Sequence, residues 1–184
     1  MATTPIPIDL GQIAWTSGNI TRFEVHGSQG AKSVLRDDAT AAVVVAHRAE
    51  FAHNAEASEV AIFLYLGLDI TAGTSPQPTG IRGRFELDFI FAVGNLSELL
   101  VNVDQPEPRL HPQLVLLLTS VAYSTARGIL WTRLAGTPLE GITLPLINPA
   151  QLLQPAEPVV PPVSLAKKPR SSASTKPKAR KPLK

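Results

Sequence analysis

Three stretches of the chain alternate in hydropathy with a period of two, the spacing at which successive side chains leave opposite faces of a strand. Over residues 41–51 one row is Val43, Val45, His47, Ala49 and Phe51, and the other is Ala42, Val44, Ala46, Arg48 and Glu50. Over 59–71 the row Val60, Ile62, Leu64, Leu66, Leu68 and Ile70 is wholly aliphatic, while Ala61, Phe63, Tyr65, Gly67 and Asp69 are mixed. Over 82–93 Phe85, Leu87, Phe89, Phe91 and Val93 oppose Arg84, Glu86, Asp88, Ile90 and Ala92. An earlier strand begins over 8–15 and resumes over 20–23, with Gly18-Asn19 as a bend or bulge. Residues 27–38 read as a loop and 52–58 as a polar turn, and 72–80 breaks the chain with Gly73, Pro76, Pro78 and Gly80. Strands that succeed one another through short turns predict an antiparallel meander.

The Pro-rich stretch 102–112 ends the sheet, and the period then lengthens to nearly four. Leu110, Leu114, Leu117, Leu118, Val121 and Thr125 fall at helical spacing. Pro112 suits a first turn and Gly136 the position just past a helix end, so a helix is expected over 111–135, about 37 Å long. On its other side Ser120, Ser124, Gly128 and Thr132 recur every four residues. A line of small residues lets another backbone approach, which would offset the cost of about 1 kcal/mol of a mid-helix glycine; the alternative is a kink at Gly128. An extended segment comes next over 137–149, and Pro155 leaves room for barely one further helical turn. The pattern is that of an α+β domain: a four-stranded antiparallel sheet followed by one long helix.

Composition divides the chain in two. Residues 1–154 hold 9 Lys and Arg against 14 Asp and Glu, a net −5, whereas residues 155–184 hold 8 Lys and Arg against one Glu, a net +7. The sequence pI of 9.1 therefore belongs to the tail alone. That tail also carries 7 of the 17 prolines and no aromatic residue, and its apolar content is too low to repay ordering, so 1–154 is expected to be the domain and 155–184 a disordered, Pro-rich, basic tail. Its cations Lys167, Lys168, Arg170, Lys176, Lys178, Arg180 and Lys181 could contact phosphates without base stacking, or could simply solubilise the chain or meet an acidic partner. The first ten residues lack a signal-peptide pattern and the longest apolar runs, 41–46 and 114–118, are too short for a bilayer, so a cytoplasmic protein without membrane insertion is expected. Only 17% of residues are charged, which suggests apolar surface reserved for an oligomer or another partner.

Catalytic and metal chemistry find little support. The chain has no cysteine, and His26, His47, His53 and His111 follow no metal-ligand spacing. Glu86 and Asp88 sit at i, i+2 and could form an acid–base pair, but beside Arg84 they read as a solvated strand face. No G-x-S-x-G occurs, and Gly80-Ile81-Arg82-Gly83 lacks the Lys-Ser/Thr of a phosphate loop. No enzyme, metal or cofactor is expected.

One stretch resembles a known family. Thr119-Ser120-Val121-Ala122-Tyr123-Ser124-Thr125-Ala126-Arg127-Gly128, then Leu134-Ala135-Gly136-Thr137-Pro138-Leu139 and Leu144-Pro145-Leu146-Ile147-Asn148-Pro149, is similar to the end of SecB-like chaperones. There a long helix with an aromatic-x-x-Ala-Arg element runs into a Gly-Thr-Pro-like turn, a Leu-Pro segment and an Asn before a last helix. Phe89-Ile90-Phe91-Ala92-Val93 looks like the family's fourth strand. The resemblance spans about 8–153 and is specific over about 119–149. It implies a homo-oligomer, a tetramer built as a dimer of dimers, that holds unfolded client proteins without ATP in protein export or antitoxin protection. Two departures stand out: Pro155 truncates the family's last helix, and Arg82 and Arg84 occupy the part of the fourth strand where export members carry acidic motor-docking residues.

The expected client-binding residues are Trp15, Phe51, Phe63 and Tyr65, and the expected oligomer contacts are Ser120, Ser124, Gly128 and Trp131; ordinary core or subunit interface is the competing role for each aromatic. The second functional reading is an oligomeric scaffold or nucleic-acid-associated protein acting through its basic tail.

Overall fold

The computed structural model describes residues 8–103, 105 and 108–153; the tail expectations for 155–184 therefore lie outside the described residues. A 3-10 turn, Leu10–Gln12, capped by the Asp9 carboxylate accepting from Gly11 N, leads into β1 (Ile13–His26). Next come α1 (Ala31–Asp37), β2 (Ala42–Asn54), β3 (Glu59–Ala72) and β4 (Gln77–Val93). After a second 3-10 turn, Leu96–Leu99, the two-residue strands β5 (Leu100–Val101) and β6 (Arg109–Leu110) pair with each other. The long helix α2 (Pro112–Arg133) and the one-turn α3 (Pro149–Leu152) complete the fold. The α+β order of four antiparallel strands and then a long helix is as the alternation predicts.

The order across the sheet is β1-β4-β3-β2. β2, β3 and β4 form the expected meander, but β1 pairs with β4 instead of its sequence neighbour β2, which makes a Greek-key order. The reason lies in the connection: residues 27–41 are too many for a hairpin loop and enough to cross the end of the sheet. Once there, Phe23 stacks on Phe85 of β4, ring centroids 5.2 Å apart.

Residues 27–38, expected as a loop, contain α1. Its first residue, Ala31, is fully buried and donates its N–H to Pro138 O at 2.7 Å, tying the helix to the turn after α2. Residues 10–12, expected within a strand, wind into the 3-10 turn, and β1 then runs unbroken through Gly18-Asn19 with irregularities at Trp15/Ser17 and Ile20/Arg22. A Cβ on Gly18 would meet the rings of Phe89 and Trp15 at 3.0 Å, so this glycine is set by close approach.

The register places every core row on one side of the sheet. Val60, Ile62, Leu64, Leu66 and Leu68 of β3 stand opposite Phe91, Phe89, Leu87, Phe85 and Gly83 of β4, all buried. Gly83 gives the Phe85 ring and Leu139 their room there, because a Cβ would run into both side chains and force them to shift. α2 crosses β3 and β4 on this face, burying Leu114, Val115, Leu118, Thr119, Ala122, Tyr123, Ala126 and Leu130.

The helix phase differs from expectation. Val121 is 42% exposed and Thr125 only half buried, while Ala122 and Ala126 are fully buried. Small side chains thus line the sheet-facing side as well, and let α2 settle close to the β-sheet. The helix has the length and apolarity of a bilayer span, with a mean hydropathy of 1.4 over its best 18 residues; much of that apolar surface is spent against the sheet.

The outer face of the sheet is a lattice of charges. Arg22 bonds Glu24 at 2.9 Å and Glu86 at 3.1 Å, Arg48 meets Glu50 at 3.2 Å, and Arg84 meets Asp69 at 2.9 Å.

Candidate functional site

Two edges of the sheet leave apolar surface on the core side. At the β1 edge Trp15 and Phe23 belong to the inner row, opposite Phe91 and Phe85, yet Trp15 is 56% exposed. Its indole N–H donates to Ser17 O at 2.6 Å, so the ring lies along its own strand over Gly18.

At the β2 edge the outcome is a groove of about 1200 Å³. It opens where the second half of β2, β6 with the first turn of α2, and the end of α3 converge. Phe51, Leu110, Pro112, Val115 and Leu153 supply apolar surface, and His53, Gln105 and Arg109 supply polar groups. Local sequence explains each wall. Phe51 stands opposite Ile62 in the inner row, but among the described residues β2 has no neighbour on its far side and α2 covers β3 and β4, so the ring remains 47% exposed. Leu110 is buried because β6 pairs with β5 and His111 N donates to Leu99 O at 2.8 Å. His111 caps α2, its Nδ1 accepting from Gln113 N at 3.3 Å, and Pro112 fills the first turn. α3 is held by Asn148, whose Oδ1 accepts from Ala150 N while Gln151 Oε1 accepts from Asn148 N, and by Leu152, buried between α2 and β2. That anchoring delivers Leu153 to the groove.

The four expected client-binding aromatics do not converge. Phe51 lines the groove, Trp15 lies at the opposite edge of the same face, and Phe63 and Tyr65 project from the outer face. Tyr65 is integrated into the charge lattice there: its hydroxyl donates to Glu50 at 3.2 Å, the Arg48 guanidinium sits 4.4 Å above its ring, and desolvation followed by Glu50 pushes its pKa up. Leu110, Val115 and Leu153 were missed because no single stretch of sequence contains the groove.

Ser120, Ser124, Gly128 and Trp131 share the side of α2 turned from the sheet, with Leu116, Leu117 and Val121 beside them. Trp131 is 54% exposed and nothing lies within 4 Å of a Cβ at Gly128. Ser120 donates to Leu116 O at 2.6 Å and Thr132 to Ile129 O at 2.8 Å, so these two hydroxyls are spent within the helix. The aromatic-x-x-Ala-Arg element has a structural task. The Tyr123 hydroxyl donates to Pro145 O at 3.0 Å and Arg127 Nε to Leu144 O at 3.0 Å, pinning the post-helix segment; burial pushes the Tyr123 pKa up to about 12.

Among the described residues no group of three or more His, Asp or Glu could hold a metal ion. Glu86 is paired with Arg22; Asp88 on the same face has its carboxyl pushed up by desolvation and by Glu86.

No family model and no curated protein sequence matches the chain. Among solved structures it is similar to the Mycobacterium tuberculosis SecB-like chaperone Rv1957 in complex with a ChAD peptide from the Rv1956 HigA1 antitoxin, with a TM-score of 0.54 and 14% identity over 74% of this chain and 91% of that one. At that identity the likeness is one of fold: the four-stranded sheet and long helix are SecB-like.

Proposed function

We propose that the chain is an ATP-independent holdase whose β2-edge groove takes extended segments of unfolded polypeptide. The observation that carries this is the apolar groove lying beside a sheet edge that is unpaired among the described residues. Phe51, Leu110, Val115 and Leu153 offer side-chain contact, and the free edge of β2 offers main-chain pairing. The two together recognise what unfolded chains share, apolar side chains and an unpaired backbone, without reading a sequence. The SecB-like fold of a chaperone solved with a peptide supports the reading, as does the lack of a catalytic constellation in the sequence. The outward face of α2 supports a homo-oligomer, read as a tetramer or dimer in the cytoplasm, serving protein export or antitoxin protection.

The test is aggregation of a chemically unfolded protein diluted with the full chain, followed by light scattering. Stoichiometric suppression without ATP is expected, and Phe51→Ser should weaken it about tenfold, the loss of one well-buried aromatic contact. No suppression by the native chain would sink the reading.

A second reading rests on charge segregation. With −5 on residues 1–154 and +7 on 155–184, the tail can bind a polyanion such as nucleic acid, or an acidic partner, independently of the groove.

A further inference from the structure

We propose that the groove's resident occupant is the chain's own segment Ala156 to Val163, a displaceable plug that competes with client. This rests on the groove being the client site. Leu153 is both the last residue the structure describes and a wall of the groove, so the chain leaves the domain at the groove itself. Beyond Leu153 the sequence runs Gln154-Pro155-Ala156-Glu157-Pro158-Val159-Val160-Pro161-Pro162-Val163. Its proline spacing favours extended backbone, about 3.1 Å per residue, so 156–163 reaches about 25 Å. Val159, Val160 and Val163 are the apolar content such a groove accepts, whereas the eight cations of the tail begin only at Lys167. Glu157, the sole acid in 155–184, complements Arg109 in the lining.

The plug is also built to yield. Each proline lacks the N–H that a strand added to β2 would donate. The segment can fill side-chain space but not complete a ladder, and a proline-free client does both. Tethering compensates: a short linker sets an effective concentration near 1 mM. A plug of Kd about 0.1 mM would then leave the groove open in about one molecule in ten, and weaken client binding about tenfold.

The experiment uses the full chain, native and with Val159→Ser, Val160→Ser and Val163→Ser together. Affinity for a fluorescein-labelled, proline-free peptide of alternating Leu and Thr is read by anisotropy. Because the chain has no cysteine, Ser164→Cys takes a single nitroxide in each background, and broadening of the Leu110 and Val115 amide signals reports where the segment lies. The expected result is about tenfold tighter peptide binding in the triple-serine chain together with weaker broadening. Equal broadening in both backgrounds is what a tether without docking gives, and overturns the proposal, as does unequal broadening with unchanged affinity. Peptide bound equally by both chains leaves the client groove standing without its plug. Peptide bound by neither, with broadening still unequal, leaves a docked segment and removes the holdase reading.

Discussion

At the scale of single residues, the position least explained by its alternation is His47. It falls in the apolar row of β2 between Val45 and Ala49, stands opposite Leu66, and is 95% buried with neither ring nitrogen bonded within the described residues. Desolvation alone pulls its pKa below the ordinary 6.5. Above that value the ring is neutral in both folded and unfolded chains, and the full stability is present. As pH falls through 6.5 the unfolded chain takes up a proton that the folded one resists, so stability is lost until the lowered folded value is reached. Thermal unfolding of His47→Leu should therefore show a smaller decline between about pH 6.5 and 5 than the native chain. It should also be more stable at neutral pH, by about 1–2 kcal/mol, because two unpaired buried nitrogens are removed. An equal pH slope in both proteins would mean that His47 is solvated in solution. The row to which His47 belongs was legible from period two alone. Its burial was not, since a histidine in an alternating strand fits a half-exposed edge equally well. The same limit applies to Tyr65 and Phe63: parity assigns each a face, but only the register with Arg48, Glu50, Glu86 and Asp88 shows that this face is charged.

Among the elements, β2, β3 and β4 emerged from alternation because their neighbours in space are their neighbours in sequence. β1 did not reveal its partner, because pairing with β4 is decided by a long connection and by Phe23 on Phe85, neither of which leaves a local pattern. α1 escaped because seven residues with one buried side chain make no periodic stripe. α2 was found but its phase was turned, because Ala122 and Ala126 do the packing that larger residues usually announce. That turn exposes Leu116, Val121 and Trp131 along one side, with Ser120, Ser124 and Gly128 between them. Arg127, the charged residue of α2 at the margin of this face, is turned to Leu144 O, so two such helices can approach closely and bury their apolar residues against each other. Val121→Glu places an ion in the middle of that contact, at a site solvated in the isolated chain, so folding should survive while association is lost. Multi-angle light scattering after size exclusion should show the native chain as an oligomer and Val121→Glu at a lower order, with unchanged far-UV circular dichroism. A variant that assembles like the native chain would remove α2 from the interface. The groove was the least legible feature of all. Phe51 alone was marked by its sequence, and it becomes a wall only where β6, α2 and α3 come to meet it.

For the whole molecule, the decisive property is that charge is segregated along the chain. The domain folds around the inner rows of β3 and β4 and balances arginine against carboxylate on its outer face, so 1–154 has a modest net −5. It would repel a nucleic acid weakly and bind it poorly. The eight cations of 155–184 were as legible in the sequence as any charge can be, because counting needs no fold. Whether they engage a polyanion depends on counterion release, which scales with the number of phosphates neutralised and not with base identity. Duplex DNA gives a slope of about −0.9 per contact in log K against log salt, so eight contacts set a limit near −7. The full chain should bind duplexes of unrelated sequence with equal affinity and a slope steeper than about −3. Replacing Lys176, Lys178, Arg180 and Lys181 with Gln should flatten that slope by about 3 to 4. Client holding should be untouched by the same four changes, since none lies in the groove or in 156–163. A shallow slope in the native chain would leave the cations as solubilising charge or as a handle for an acidic protein. A loss of client holding would show that tail and groove act on one ligand.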